Sequence, residues 1–437
     1  MVRILAVTLL LVLMNVCPAL AGDMGPNIRV GLVVNQFSAQ FSSQGEVKAE
    51  VDGGSTIKVK AGTHFVSVKK DSLYIDNKKL NGRRVSLRAG NAKFPVSINK
   101  KTYRGAIIAS LDSGRKRLNV INVLPVENYL YGVVAKEVIP LWPDEAVKAQ
   151  AVAARSFAMY EINNNKNQVY DVRSNEMGQV YGGIAAEHTN TNKMVDTTRG
   201  VVATYDGDPI QAFFHSCSGG YTESAVNVWG KAVPYLQAVV DYDKDSPNYD
   251  WNKSFTREDL QKALEQSGYK VGVLEGIRLS PRKKAPMGWS SDRGTSGRVK
   301  KITFKGKAGI VTLEGTKLRS ILNLPSTLFD INVGFNRPDH IDVPILNSYG
   351  MQVGEKKIDI KPDKRNRNSN TVGDFHYLSS VKGEKVHFIG NGWGHGLGMS
   401  QWGARGMSLM PGAKKKDDYY KTILKHYYTG TKIKRIY

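Results

Sequence analysis

The sequence predicts an α+β protein, with β-rich segments around a small helical centre that carries a candidate catalytic glutamate. Three observations predict it. Residues from about 27 to 110 fall into short strand-like runs (IRVGLVV, STIKVKA, HFVSVKK, SLYIDN, RVSLRA) broken by Gly, Asn and Asp. One stretch, LPVENYLYGVVAKEVIPLWPDEAVKAQAVAARSFAMY, is strongly helical. Strand-like and turn-like segments then return from 168 to 240, and from 250 to 330 they mix with the helical run TREDLQKALEQSGY.

Taken in order, the first element is a leader. Met1, Val2 and Arg3 precede the apolar run ILAVTLLLVLM, and Ala19-Leu20-Ala21 offers a small-x-small cleavage site. The run is too short to span a bilayer and nothing comparable follows, so residues 1–21 are expected to leave and the protein to be exported, to a periplasm, cell wall or medium. Cys17 has no small residue just before it, which argues against a lipoprotein anchor, and Cys217 remains as the one mature cysteine. With 62 Lys and Arg against 39 Asp and Glu the net charge is +23, or +22 once Arg3 is removed. Outside the cytoplasm nucleic acid is an unsuitable partner, so the charge points to anionic envelope polymers or lipid headgroups. Scattered lysines that only confer solubility fit the same number.

The expected organisation is a β-rich domain over 22–105, a core over 106–245, an α/β accessory region over 246–334, an insertion or exposed loop over 335–388, and a Gly-rich motif with an amphipathic helix over 389–437 that completes the core. Tyr205-Asp206-Gly207 reads as a hairpin turn.

Val126, Leu130, Val133, Val134 and Glu137 fall at helical spacing, which sets a glutamate on an apolar stripe. Burial there disfavours the charged form and suits a general acid. A glutamate that escapes to water at the helix end, near Pro140, fits the pattern equally well. In the next helix Lys148 and Arg155 lie two turns apart on one face of an Ala-rich run, which suits either an acid-plus-cation site or a solvated face. Near the end of the chain, Gly390, Gly392, Gly394, Gly396 and Gly398 alternate with Asn391, Trp393, His395 and Leu397. As an extended strand this would bare one face for close packing, with the Ala-rich helix as its expected neighbour, and offer Trp393 and His395 on the other.

These blocks, with GQVYGG at 178–183, TTRGVVATYDGDPIQAFFHSCSGGYTES at 197–224, VPYLQAVVD at 233–241 and GWGHGLGMSQWGARGM at 392–407, resemble the exported stage II sporulation protein D and amidase-enhancer family of peptidoglycan-acting proteins. The resemblance covers most of the span from about 103 to 430. It implies a lytic transglycosylase that cuts the N-acetylmuramic acid to N-acetylglucosamine bond without water, in glycan stripped of stem peptides, leaving 1,6-anhydro ends. It places the catalytic glutamate on Glu137 and functional residues on Lys148, Arg155 and His215. Tyr181, Trp393, His395 and Gln401 join them as substrate-binding candidates. Some members hold zinc through histidine and cysteine near this place. Here His215 and Cys217 have no second mature cysteine, so neither metal nor cofactor is expected. Glycan strands are the expected partner, with an amidase as a second.

A conventional hydrolase would need a second carboxylate, for which Glu187, Glu223 and Asp241 are the nearest by motif. Two rival readings stand beside the transglycosylase: a wall-binding amidase enhancer that cuts nothing, and Cys217 as a thiol nucleophile with His215 or His395 as base. Ser400 lacks a nucleophile-elbow context.

Overall fold

NIRVGLVVNQ behaves as its pattern predicts: strand Asn27–Gln36 buries Ile28 and Val30 and pairs antiparallel with Leu118–Pro125. Around this pair forms a seven-stranded sheet in the order 172–173, 27–36, 118–125, 106–111, 84–89, 47–51, 56–59. A six-stranded sheet, centred on Ser38–Ser43 and Gly62–Lys69, completes the β-rich N-terminal part. The computed structural model describes residues 24–437 apart from 115, 176–177, 336–339, 347–351, 360–370, 373, 380, 382 and 414–416. The leader expected over 1–21 lies outside these residues. Among the described residues no helix is long and apolar enough to cross a membrane.

The described chain separates into two units, residues up to Ala212 together with Thr431–Tyr437, and Phe213–Gly430. In the first, Pro125 precedes helix α1 (Val126–Glu137) and Pro143 precedes α2 (Asp144–Asn164), each ring pre-set for a helix start. The apolar stripe of α1 is buried as its spacing requires, and every alanine of α2 from Ala146 to Ala158 is buried. A third helix, α3 (Thr189–Thr197), packs on both. The hairpin expected at Tyr205-Asp206-Gly207 is present: Tyr205 pairs with Asp208, and Asp206 and Gly207 take φ of 50° and 97°. Strand Lys432–Arg435 pairs with Val201–Thr204.

In the second unit a five-stranded sheet and a three-stranded sheet enclose a core that includes Leu260, Ile277, Phe304, Leu318, Phe329 and Phe388. Thr256 caps the helix Arg257–Gln266 with a reciprocal capping box to Asp259. The stretch expected as an insertion or loop contributes strands here: His340–Leu346 pairs with Gln352–Asp359, and Phe375–Tyr377 joins the five-stranded sheet.

Candidate functional site

Glu137 is the last residue of α1 and is half-buried. Its Oε1 accepts the Val180 N–H at 3.2 Å. That donor is aimed by the 178–183 loop, which docks on α1 where Gly132 has no side chain. A Cβ on Gly132 would lie 2.6 Å from the Tyr181 ring, and the Gly182 N–H donates to the Gly132 carbonyl at 3.0 Å. The Tyr181 ring packs on Tyr103 and Tyr129, its hydroxyl donates to Asn122, and the Tyr129 hydroxyl donates to Gln179 at 3.1 Å. Burial, and then the charge of Glu137, hold the Tyr129 hydroxyl well above its ordinary range, so it stays a donor.

Two expected glycan contacts are corrected here. Tyr181 is only 3% exposed, so it is no platform for a sugar; it holds the loop that faces Glu137. Arg155 is wholly buried in a two-pronged ion pair with Glu127, at 2.8 Å on each side. It also donates to the carbonyls of Val195 and Val201. Glu127 in turn accepts from the Gly200 N–H and the Tyr437 hydroxyl. Neither the solvated face nor the ligand-facing cation describes Arg155, because helical spacing placed it correctly but could not name its buried partner. Lys148 is half-buried and pairs with Glu145 one turn back at 2.6 Å.

The second unit holds His215, Trp393, His395 and Gln401. Gly390 lies in the strand Glu384–Asn391, but Gly392, Gly394, Gly396 and Gly398 all have positive φ, from 66° to 118°, so beyond Asn391 the flat strand expected of the segment gives way to single β-bridges at Trp393, Gly394 and Leu397. Its glycines also admit close neighbours. A Cβ on Gly394 would lie 2.7 Å from His215 Cβ, one on Gly396 would meet the Arg298 guanidinium, and one on Gly398 would meet the Phe213 carbonyl. The chain they accommodate is therefore 213–218, together with a buried arginine, where the sequence suggested the Ala-rich helix.

This packing sets His215 and His395 with ring centres 5.3 Å apart. His215 Nδ1 donates to the Leu397 carbonyl at 3.0 Å, which leaves Nε2 as a lone-pair acceptor, buried and without a described partner. His395 Nδ1 accepts from the Leu397 N–H at 3.0 Å, which puts the proton of its neutral ring on Nε2. Burial with the nearby Arg298 and Arg319 charges pushes His395 down to about 4, and burial with His395 and Arg298 keeps His215 well below its ordinary value. Both rings are neutral at pH 7 and act through hydrogen bonds. The Trp393 side chain is half-exposed, while Gln401 is buried at the start of the helix Gln401–Ser408.

The remaining candidates are otherwise engaged. Glu187 forms a two-pronged pair with Arg104. Glu223 is caged by Asn227 and the 295–296 backbone, and Asp241 accepts from Ser218 and Tyr427. Cys217 is buried, its thiol is turned to the Asn248 carbonyl, and burial pushes it up to about 11, which suits neither a nucleophile nor a zinc thiolate. Among the described residues no three His, Cys, Asp or Glu side chains converge as a metal set. Arg298 and Gln179, in loops, and Asn122, in the strand Leu118–Pro125, escaped the sequence reading because no periodicity marks a residue that serves by hydrogen bonding.

Residues 114–205 match the family model described as stage II sporulation protein. An uncharacterised protein of Brachyspira hyodysenteriae is 33% identical over 72% of this chain and 68% of its own length. The chain belongs to the stage II sporulation protein D family. Two further relatives come from Bacillus subtilis. Its stage II sporulation protein D is 29% identical over 78% of this chain and 82% of that protein. Its amidase enhancer is 28% identical over 90% of this chain, which spans about half (53%) of that relative. The family match covers α1, the 178–183 loop and α2, the elements that set Glu137 in place.

Proposed function

We propose that the protein is exported and acts on the cell wall as a lytic transglycosylase, with Glu137 as its acid and base. The observation that carries this reading is the half-buried Glu137 carboxylate at the end of α1, oriented by the Val180 N–H. In protonated form it donates to the glycosidic oxygen as the bond to the muramic C1 breaks. It then takes the proton from the muramic C6 hydroxyl as that oxygen closes on C1, so the acid is regenerated and no water is consumed. The engagement of Glu187, Glu223 and Asp241 in pairs and cages favours this single-carboxylate route over a hydrolase that needs two. Lys148 is the group proposed to hold glycan within the first unit, and the half-exposed Trp393 is proposed to do so within the second.

A second reading rests on the relative named amidase enhancer: the protein binds wall and stimulates an amidase without cutting glycan. Mass analysis of products from intact and denuded peptidoglycan separates the two. Anhydro-ended products from the parent, reduced about 10²–10⁴-fold in Glu137→Gln with unchanged folding, are expected. Equal release by both would remove Glu137 from the chemistry. No release by the parent, together with a stimulated amidase, would favour the enhancer.

A further inference from the structure

Loop 281–289, PRKKAPMGW, lies in the second unit, contains none of the residues assigned above, and presents the most exposed large apolar side chain described: Trp289, at 92%. Arg282, Lys283 and Lys284 precede it, all exposed, and no described carboxylate pairs with them. Single exposed apolar residues are common on protein surfaces and mean little by themselves. This one is held out by a built support.

The support begins at Arg293, a buried guanidinium that donates to the carbonyls of Ser280, Gly297 and Phe329 and pairs with Asp330 at 2.8 Å. Asp292 accepts from the Ser280 N–H and the Ser290 hydroxyl, and Lys300 donates to the Ser290 carbonyl. Within the loop, the Met287 N–H donates to the Thr295 carbonyl at 2.7 Å. Gly297 leaves room for the stem of Arg282 and the Met287 sulfur, which lie 2.9 and 3.2 Å from where its Cβ would be. The backbone is thus tied on both flanks, while the indole and three cationic heads face solvent.

We propose that this loop is a peripheral membrane anchor that docks on anionic lipid headgroups. The order of residues suits a bilayer surface: three cations, then the tip Ala-Pro-Met-Gly-Trp. Indole settles at the boundary between headgroups and acyl chains, and Lys and Arg heads remain with the phosphates while their stems lie against apolar material. A glycan site would instead need amide or carboxylate side chains converging on hydroxyls beside the aromatic ring. Residues 281–291 contain no Asn, Gln, Asp or Glu, and the Ser290 hydroxyl is committed to Asp292. With no membrane-crossing helix among the described residues, such a contact would hold the protein at the surface reversibly.

The test is co-sedimentation of the leaderless exported protein with vesicles of phosphatidylcholine, with or without 30% phosphatidylglycerol, and separately with insoluble wall sacculi. The parent is expected to bind the anionic vesicles alone. Lys283→Gln with Lys284→Gln should weaken that binding about fivefold per lysine. Trp289→Ala should also weaken binding to the anionic vesicles, and both variants should melt with the parent. Failure of the parent to prefer anionic vesicles, or variants that bind as the parent does, would overturn the proposal. Variants that keep vesicle binding but lose sacculus binding would assign the loop to glycan.

Discussion

Arg155→Met isolates the difference between a cation that holds substrate and one that holds the fold. The substitution leaves Glu127 buried with the Gly200 N–H and the Tyr437 hydroxyl as its remaining donors, and strips a donor from the carbonyls of Val195 and Val201. Breaking one side of a fully buried ion pair costs about 3–5 kcal/mol. Against a typical domain stability of about 5–15 kcal/mol that is a large fraction. With a urea slope of about 2 kcal/mol/M, the unfolding midpoint should fall by about 2 M. Pairing the change with Glu127→Leu removes the stranded charge and should recover part of the loss, though Gly200 and Tyr437 then lack an acceptor. Activity per folded molecule should change little in either variant. An Arg155→Met protein that unfolds at the parent midpoint but no longer binds glycan would refute the reasoning.

Two further outcomes concern the Gly-rich segment. An unfolded imidazole takes its proton near pH 6.5, whereas His395 in the fold takes it at about 4. The folded state therefore binds fewer protons in that window, so the stabilisation is complete above pH 6.5 and is lost as pH falls toward 4. His215 adds a loss of the same sign, and Asp243, whose carboxyl is raised by burial and by Asp241, works against both. The difference in unfolding free energy between the parent and His395→Gln should change by at most about 1.4 kcal/mol per pH unit across that window, and parallel curves would show that the ring titrates normally. Gly398→Ala combines a φ of 66° with a collision against the Phe213 carbonyl and should cost about 2 kcal/mol or more in thermal unfolding. Gly207→Ala, equally left-handed but in open space, should cost about 1 kcal/mol, and equal costs would dismiss close approach as the reason for the glycine.

Where periodicity decides a structure, the chain could be read directly. The stripe from Val126 to Val134 did become the buried face of α1, and the Asp206-Gly207 turn formed where expected. What failed was information that periodicity does not carry. Alternate glycines suggested one extended strand, yet from Gly392 onward their positive φ breaks it into single bridges whose neighbours come from a distant part of the chain. Arg155 and Tyr181 stood at the right positions, but their burial depended on Glu127, Asn122 and Gly132, partners that only tertiary packing supplies. The 335–388 stretch hid its strands under lysines and aspartates that read as solvent-loving loop.

The closing strand Lys432–Arg435 and the hydroxyl of Tyr437 complete the first unit, although the whole of residues 213–430 intervenes in the chain. Until residues 431–437 dock, the first unit has Glu127 short of one donor and the edge of Val201–Tyr205 uncovered. Its folding therefore depends on a contact of very long sequence separation, the kind that is slow to form. Chains that have not made this contact, or have lost residues 431–437, would carry an open sheet edge, a template for pairing with another chain.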